Sequence, residues 1–336
     1  MEKQHNLLLI GHGNISKAYV KAFSNMDNVR IAGVVGRDMD RVQEYAKLHS
    51  IPHFGISIED VARESNATAA VICTPNALHY EGVMTASKLG LHCLCEKPLD
   101  ISIEKQNEMI KSCNDKNVKL AVSYMRRFIE HLCFVKEVVD SGKLGKITVV
   151  DVTIKHFRPK EYYNTWHGTV EIDGGGPFIQ QGSHIIDLAL WLGNGYDEVL
   201  QAKRFQVYHD IETEDHGYAV VKYKNGAIGM IEASTASFGM KQEGIEISGT
   251  LGSIAANYEE ITMFDVPSES LPRFTRDNSN EQLFLYLAKD FISSIEKDDA
   301  PFITGESAKI ATELIKEIYN VAGDPIKMWN EEKGKE

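Results

Sequence analysis

Long apolar runs are missing from this 336-residue chain. None approaches the roughly 18 residues that a membrane span needs, and the N-terminus lacks a basic segment followed by an apolar one. The expectation is a cytoplasmic protein with no membrane partner. Positive charge is also in short supply, since 36 Lys and Arg stand against 48 Asp and Glu for a formal net charge of -12. Such a balance disfavours long-range attraction to nucleic acid or an anionic surface, so any anionic ligand must be met by local positive groups. Cysteine is scarce. The five residues Cys73, Cys93, Cys95, Cys113 and Cys133 are odd in number and show no C-x-x-C spacing, which argues against a disulfide framework or zinc site and for buried free thiols. No metal is expected.

The chain is long enough for two cores. Residues 7–10, 29–35, 69–73, 91–95 and 119–122 are short, nearly continuous apolar runs, as in strands buried on both faces of a parallel sheet. Ile15, Tyr19, Ala22 and Phe23 recur at helical spacing between the first two, completing a βαβ unit. The N-terminal segment, 1–123, therefore reads as a doubly wound α/β domain. Beyond it the pattern changes. A helix is expected over 132–141, a strand over 147–154, a polar and aromatic loop over 155–173, and a helix over 183–192. Two extended runs, 218–224 and 227–234, flank Asn225-Gly226, a strong hairpin signal. The second domain, 124–336, is expected to carry an open, mainly antiparallel sheet, a loop at 267–280 and closing helices near 281–296 and 306–321. Both alternating faces of 219–221 and 228–231 are largely apolar, so a face left uncovered by helices favours self-association.

Several segments carry chemistry. Gly11-His12-Gly13-Asn14-Ile15-Ser16 follows the first strand and opens a helix, the context in which G-x-G-x-x-G binds a dinucleotide. Gly11 and Gly13 allow a tight turn and close approach to a pyrophosphate, which the N–H groups at the helix start around Asn14 and Ile15 favour. Ser16 replaces the third glycine and is small enough to be tolerated. At the end of the second strand, Gly36-Arg37-Asp38 puts glycine where NAD enzymes usually carry a carboxylate. Arg37 can pair with a 2′-phosphate, so NADP is expected ahead of NAD, with Asp38 keeping NAD open. Cys73-Thr74-Pro75-Asn76 ends another strand at the ligand-binding edge, making Thr74, Pro75 and Asn76 cofactor candidates; His79 reads as an exposed helix-start residue. Glu96-Lys97-Pro98 closes a strand buried on both faces and puts an ionisable amine where a nicotinamide would sit. Gly174-Gly175-Gly176 permits close approach of backbone to a ligand, while His184 and Asp187 share one face of the following helix.

These marks, together with Arg127-Phe128 and Gly182-x-His184-x-x-Asp187, resemble the glucose–fructose oxidoreductase, inositol dehydrogenase and rhizopine-catabolism (Gfo/Idh/MocA) family along nearly the whole chain. The resemblance implies a Rossmann domain, a second α/β domain that binds substrate and builds a homodimer or homotetramer, and NAD or NADP as cofactor. It implies an oxidoreductase moving hydride between that cofactor and a secondary alcohol or ketone of a sugar, inositol or nucleotide sugar. It places Lys97 and His184 in proton transfer beside the nicotinamide, with Glu96 among the cofactor contacts and Asp173 among the substrate contacts. Two departures stand out. Gln180 occupies the position, four before His184, where many members carry aspartate. The loop often written Trp-Arg reads Trp166-His167, leaving Trp166 as its remaining cofactor candidate. Two other functions fit the same fold: a non-catalytic dinucleotide-binding regulator, and an NAD-dependent redox-assisted glycosidase.

Overall fold

The computed structural model describes residues 4–328; the outermost residues of both expected domains lie outside them. Two compact units emerge, one formed by the chain up to Met125 with Asp277–Lys309, the other by Arg126–Arg276 with the chain from Ile310.

The first unit holds a six-stranded parallel sheet in the order β3-β2-β1-β4-β5-β6, where β1 is His5–Ile10, β2 Val29–Val35, β3 His53–Gly55, β4 Ala69–Ile72, β5 His92–Cys95 and β6 Leu120–Val122. Leu7, Leu8, Leu9, Val71, Leu94 and Val122 are fully buried, which explains their continuous apolar runs. The crossovers use α1 (Ser16–Phe23), α2 (Met39–Leu48), α3 (Ile58–Glu64), α4 (His79–Lys88) and α5 (Ile103–Asp115). Asp38, Ser57 and Ser102 start α2, α3 and α5 by accepting a backbone N–H three residues on. Of these six strands, β3 alone has no legible apolar run, because three residues at a sheet edge carry no usable periodicity.

The second unit is built on an eight-stranded mixed sheet in the order β13-β12-β11-β7-β10-β9-β8-β14. These strands are β7 (Ile147–Phe157), β8 (Tyr196–Gln206), β9 (His216–Tyr223), β10 (Ile228–Ser234), β11 (Ala236–Gly249), β12 (Ser253–Ala256), β13 (Ile261–Asp265) and β14 (Ile326–Lys327). Pairing is antiparallel except for β7 with β10 and β8 with β14. Asn225-Gly226 makes the expected hairpin, with Ile228 opposite Lys222. Ala219, Val221 and Ile231 face the core, where α6 (Glu130–Asp140) and α7 (Ser183–Leu192) belong to the same unit; Ile228 and Met230 remain 41% and 45% exposed on the other side.

One long segment departs from the expected two-block division. Helix α8 (Asn280–Lys297) packs with the first unit, where Phe284 meets Tyr19 edge-on at 5.0 Å and Lys21 pairs with Glu281 at 2.5 Å. Periodicity marks α8 as amphipathic but does not say which core its apolar face covers. Helix α9 (Gly305–Ala322) then carries the chain back to the second unit. All five thiols are free, with Cys133 half-buried and the others buried. Among the described residues no helix is long and apolar enough to cross a membrane.

Candidate functional site

In the first unit the ligand edge is built from the carboxyl ends of β1, β2, β4 and β5. Gly11 has φ +93, and a Cβ there would stand 2.8 Å from the Cys73 carbonyl, so only glycine lets the first turn lie against the backbone after β4. Gly13 differs: a Cβ would meet no protein atom within 4 Å, so packing does not demand glycine there. Asn14 and Ile15 are exposed at the start of α1, and Ile15 caps it without a side-chain bond. Ser16 does more than fit, since its hydroxyl donates to the Gly13 carbonyl at 2.6 Å and pairs with the Tyr45 hydroxyl at 2.7 Å. An exposed helix start with an open glycine before it fits a dinucleotide pyrophosphate.

The end of β2 explains its missing carboxylate. A Cβ on Gly36 would lie 2.4 Å from the His12 ring, so His12 occupies the space that a side chain at 36 requires. Arg37 is exposed, and Asp38 spends an oxygen on the Arg41 N–H that starts α2. The Thr74 hydroxyl is buried with no hydrogen-bond partner among the described residues, at the loop that Pro75 and the buried Asn76 continue. His79 is fully buried rather than exposed. Its ring nitrogens face the Pro98 carbonyl at 2.8 Å and the Thr74 carbonyl at 2.9 Å, tying the two motif loops together. The signal for this was its place five residues after Thr74, but the partner loop lies nineteen residues on.

Lys97 is half-buried and its peptide bond to Pro98 is cis. Glu96 accepts the Lys97 N–H at 3.1 Å and the Tyr19 hydroxyl at 2.6 Å, while Tyr19 also reaches Ser123 at 2.8 Å. Burial, reinforced by the Glu96 charge, pushes the Tyr19 phenol well up, so it stays a donor. Glu96 thus acts on the backbone of Lys97 from below.

In the second unit Gly175 and Gly176 answer to packing. A Cβ on Gly175 would strike the Tyr319 hydroxyl at 2.0 Å, and one on Gly176 the Glu214 carbonyl at 2.0 Å. Glu214 is fully buried and accepts from the Gly176 N–H, the Tyr319 hydroxyl and Arg204 at 3.1, 2.9 and 3.3 Å. Next to it Asp215 accepts three backbone N–H groups, those of Val207, Tyr208 and His209, and faces the His209 ring at 3.1 Å. Burial alone would raise Asp215, but these donors together hold it below the usual carboxylate range. Asp187 is buried and gripped by Arg127 through Nε at 2.8 Å and Nη2 at 2.6 Å; burial still leaves its carboxyl above the usual range. Asp173, also fully buried, accepts the Gly168 N–H at 2.7 Å and the Gln180 amide. Gln180, in the turn before α7, and His184, in its first turn, are partly exposed, and Trp166 stacks on His167 with centroids 4.1 Å apart. Glu214-Asp215 stands out in the sequence as an acidic pair, but its burial has no local signal, for adjacent acidic residues ordinarily mark a solvated turn.

A parallel doubly wound sheet with this glycine turn at the head of its first helix defines a dinucleotide-binding oxidoreductase class. Residues 5–124 match the oxidoreductase family with an NAD-binding Rossmann fold, and residues 134–255 match the GFO/IDH/MocA C-terminal domain. The chain belongs to the GFO/IDH/MocA family of oxidoreductases. It is similar to the myo-inositol 2-dehydrogenase of Thermotoga maritima, 25% identical over 321 residues covering 90% of this chain and 92% of that one. An uncharacterised oxidoreductase of Bacillus subtilis is 27% identical, with 86% and 84% covered. Among solved structures, the WlbA dehydrogenase of Bordetella pertussis in complex with NADH and UDP-GlcNAcA is 26% identical, covers 95% of this chain and 97% of its own, and superposes with a TM-score of 0.87.

Proposed function

We propose that this protein is an NAD(P)-dependent dehydrogenase or reductase of a secondary alcohol or ketone on a sugar, inositol or nucleotide sugar. The observation that carries the reading is Lys97, its backbone held by Glu96 in the same unit as the open glycine turn at Gly13. The T. maritima relative is a myo-inositol 2-dehydrogenase, and the B. pertussis structure is a complex with NADH and UDP-GlcNAcA. Gly11, Gly13 and the N–H groups of Asn14 and Ile15 would cradle the pyrophosphate, with Thr74, Pro75, Asn76 and Trp166 as further contacts. NADP is favoured over NAD, because His12 keeps a carboxylate-bearing side chain out of position 36 and Arg37 is exposed and available to a 2′-phosphate.

When bound, the nicotinamide supplies the hydride acceptor or donor. For oxidation, a base must take the hydroxyl proton as hydride leaves its carbon. His184 is assigned that proton, since an imidazole ordinarily titrates near about 6.5 and an alkylammonium near about 10.4. Lys97 donates a hydrogen bond to the same oxygen and stabilises its developing charge. Gln180 orients a neighbouring hydroxyl, and Asp173 enters through its grip on Gln180. The enzyme is assigned to the cytoplasm as a homodimer or homotetramer joined through the open sheet, and a light-scattering mass of one 37.6 kDa chain would remove that part. The test of the whole is a cofactor-reduction screen of sugars, inositols and nucleotide sugars with NAD and NADP in parallel. Reduction of one cofactor by at least one polyol-like substrate is expected; tight cofactor binding without reduction across the panel would favour a regulator.

A further inference from the structure

The second unit contains an arginine that no carboxylate answers among the described residues. Arg127 is held by Asp187 and Arg204 by Glu214, whereas Arg158 forms no ion pair among the described residues. Its backbone is pinned on both sides, since its N–H donates to the Thr235 carbonyl at 2.9 Å and its own carbonyl faces His209 Nε2 at 2.8 Å. The guanidinium lies over the Tyr162 ring at 5.1 Å, and its Nε–H is buried with no acceptor among the described residues. A guanidinium never sheds its proton in a protein, and leaving a charged donor buried and unsatisfied is costly. Arg126 shares this condition, its Nε–H buried without an acceptor among the described residues and its guanidinium 4.5 Å from the Tyr258 ring, so the surroundings set Arg158 apart. In a chain of net charge -12, a cation left so at a strand end points to an acceptor that the protein itself does not supply.

The surroundings say what carries that acceptor. Gln181 donates to the Tyr162 hydroxyl at 3.3 Å, and its amide oxygen is buried without a donor, ready for a hydroxyl. The His167 ring lies 4.1 Å from Tyr162 and 4.1 Å from Trp166, giving an aromatic face beside the cation. Gln181 lies in the turn just before α7, three residues from His184. A fixed cation, an orphaned amide oxygen and an aromatic face together match a sugar ring that bears an acid group: guanidinium for the anion, carbonyl for a hydroxyl, ring face for C–H bonds.

We infer that Arg158, Tyr162 and Gln181 form a subsite for an anionic substituent, carboxylate or phosphate, of the substrate. The inference rests on the dehydrogenase reading and narrows it to acidic or phosphorylated sugars and their nucleotide conjugates. Calorimetric titration of the NADH-loaded protein with D-glucose, D-glucuronate and D-glucose 6-phosphate tests it in the unmodified protein, Arg158→Gln and Arg158→Lys. One of the anions should bind more tightly than glucose, and which one does so separates carboxylate from phosphate. Arg158→Gln should weaken that anion roughly 10–100-fold, the scale of a charge-assisted hydrogen bond, and leave glucose unchanged. Arg158→Lys should recover part of the loss, which a merely misfolded variant would not do. Anions bound no better than glucose, or equal losses for all three sugars, would overturn the subsite. So would a loss of NADH affinity in Arg158→Gln, which would put the guanidinium on the cofactor. Cofactor reduction with a neutral sugar equal to that with its acid would remove the subsite while leaving the dehydrogenase intact.

Discussion

The glycine-rich segments 11–13 and 174–176 look alike in sequence and answer to different neighbours. In the first unit the backbone around Gly13 is open, and the Glu96 carboxylate of that unit is shared by the Tyr19 hydroxyl and the Lys97 N–H. In the second unit Gly175 and Gly176 are closed over by Tyr319 and Glu214, and the neighbourhood is a set of buried carboxylates, each matched to donors. One glycine motif leaves its backbone open. The other makes room for the protein's own buried charges, so a run of glycines by itself does not identify a binding site.

The comparison is broken most severely by removing the group that each unit is proposed to contribute to the chemistry. Lys97→Met and His184→Ala are each expected to lower turnover by roughly 10²–10⁴-fold, the range of a general acid–base group, while NADH affinity measured by fluorescence titration changes little. If both kept near-normal turnover on a substrate from the screen, the assigned roles would fall.

Substituting the glycines themselves sharpens the contrast. Gly176→Ala should cost about 2–4 kcal/mol of stability in denaturant unfolding, because its Cβ meets a backbone carbonyl that cannot move aside. Gly13→Ala should change stability by less than about 0.5 kcal/mol, the scale for an unconstrained surface position, yet weaken NADH binding. The reverse ordering would mean that the two motifs had been assigned the wrong purposes.

Asp215→Asn tests whether the second unit depends on its buried charges. A loss of about 1–3 kcal/mol is expected from the donors left with a poorer acceptor. The sign of the pH effect follows from the lowered carboxyl: the unfolded chain binds its proton first, so the stabilisation is complete above the unfolded pKa of about 3.9 and is lost as pH falls below it through the folded value. Unfolding curves from pH 6 down to pH 3 should show a steeper acid loss in the unmodified protein than in the variant.

An effect of similar size, confined to one cofactor, lies at the end of β2 in the first unit. Arg37→Ala should weaken NADP binding by about 1–3 kcal/mol and barely alter NAD. Equal losses would turn Arg37 into an adenine-stacking residue, and tighter NAD binding by the unmodified protein would end the NADP preference.

Much of this was legible without coordinates. Five of the six parallel strands, the hairpin at Asn225-Gly226 and helix α7 were written in local patterns, because burial on both faces demands unbroken apolar runs and a two-residue turn demands particular residues. The glycine turn after β1 and the lysine after β5 were readable for the same reason: each stands at the end of an element that periodicity locates. What the sequence by itself determined, then, was the order of the elements and the residues at their ends. Only the tertiary structure decided that His79 lies buried between two loop carbonyls, that Gly36 yields its space to His12, that Glu214 rather than a ligand fills the room at Gly176, and that α8 covers the first unit. Each of these depends on groups that are distant in sequence or on a face whose partner periodicity leaves open. A spacing rule reports how a segment meets its own neighbours along the chain, whereas buried polar partners are chosen by which segments fold together.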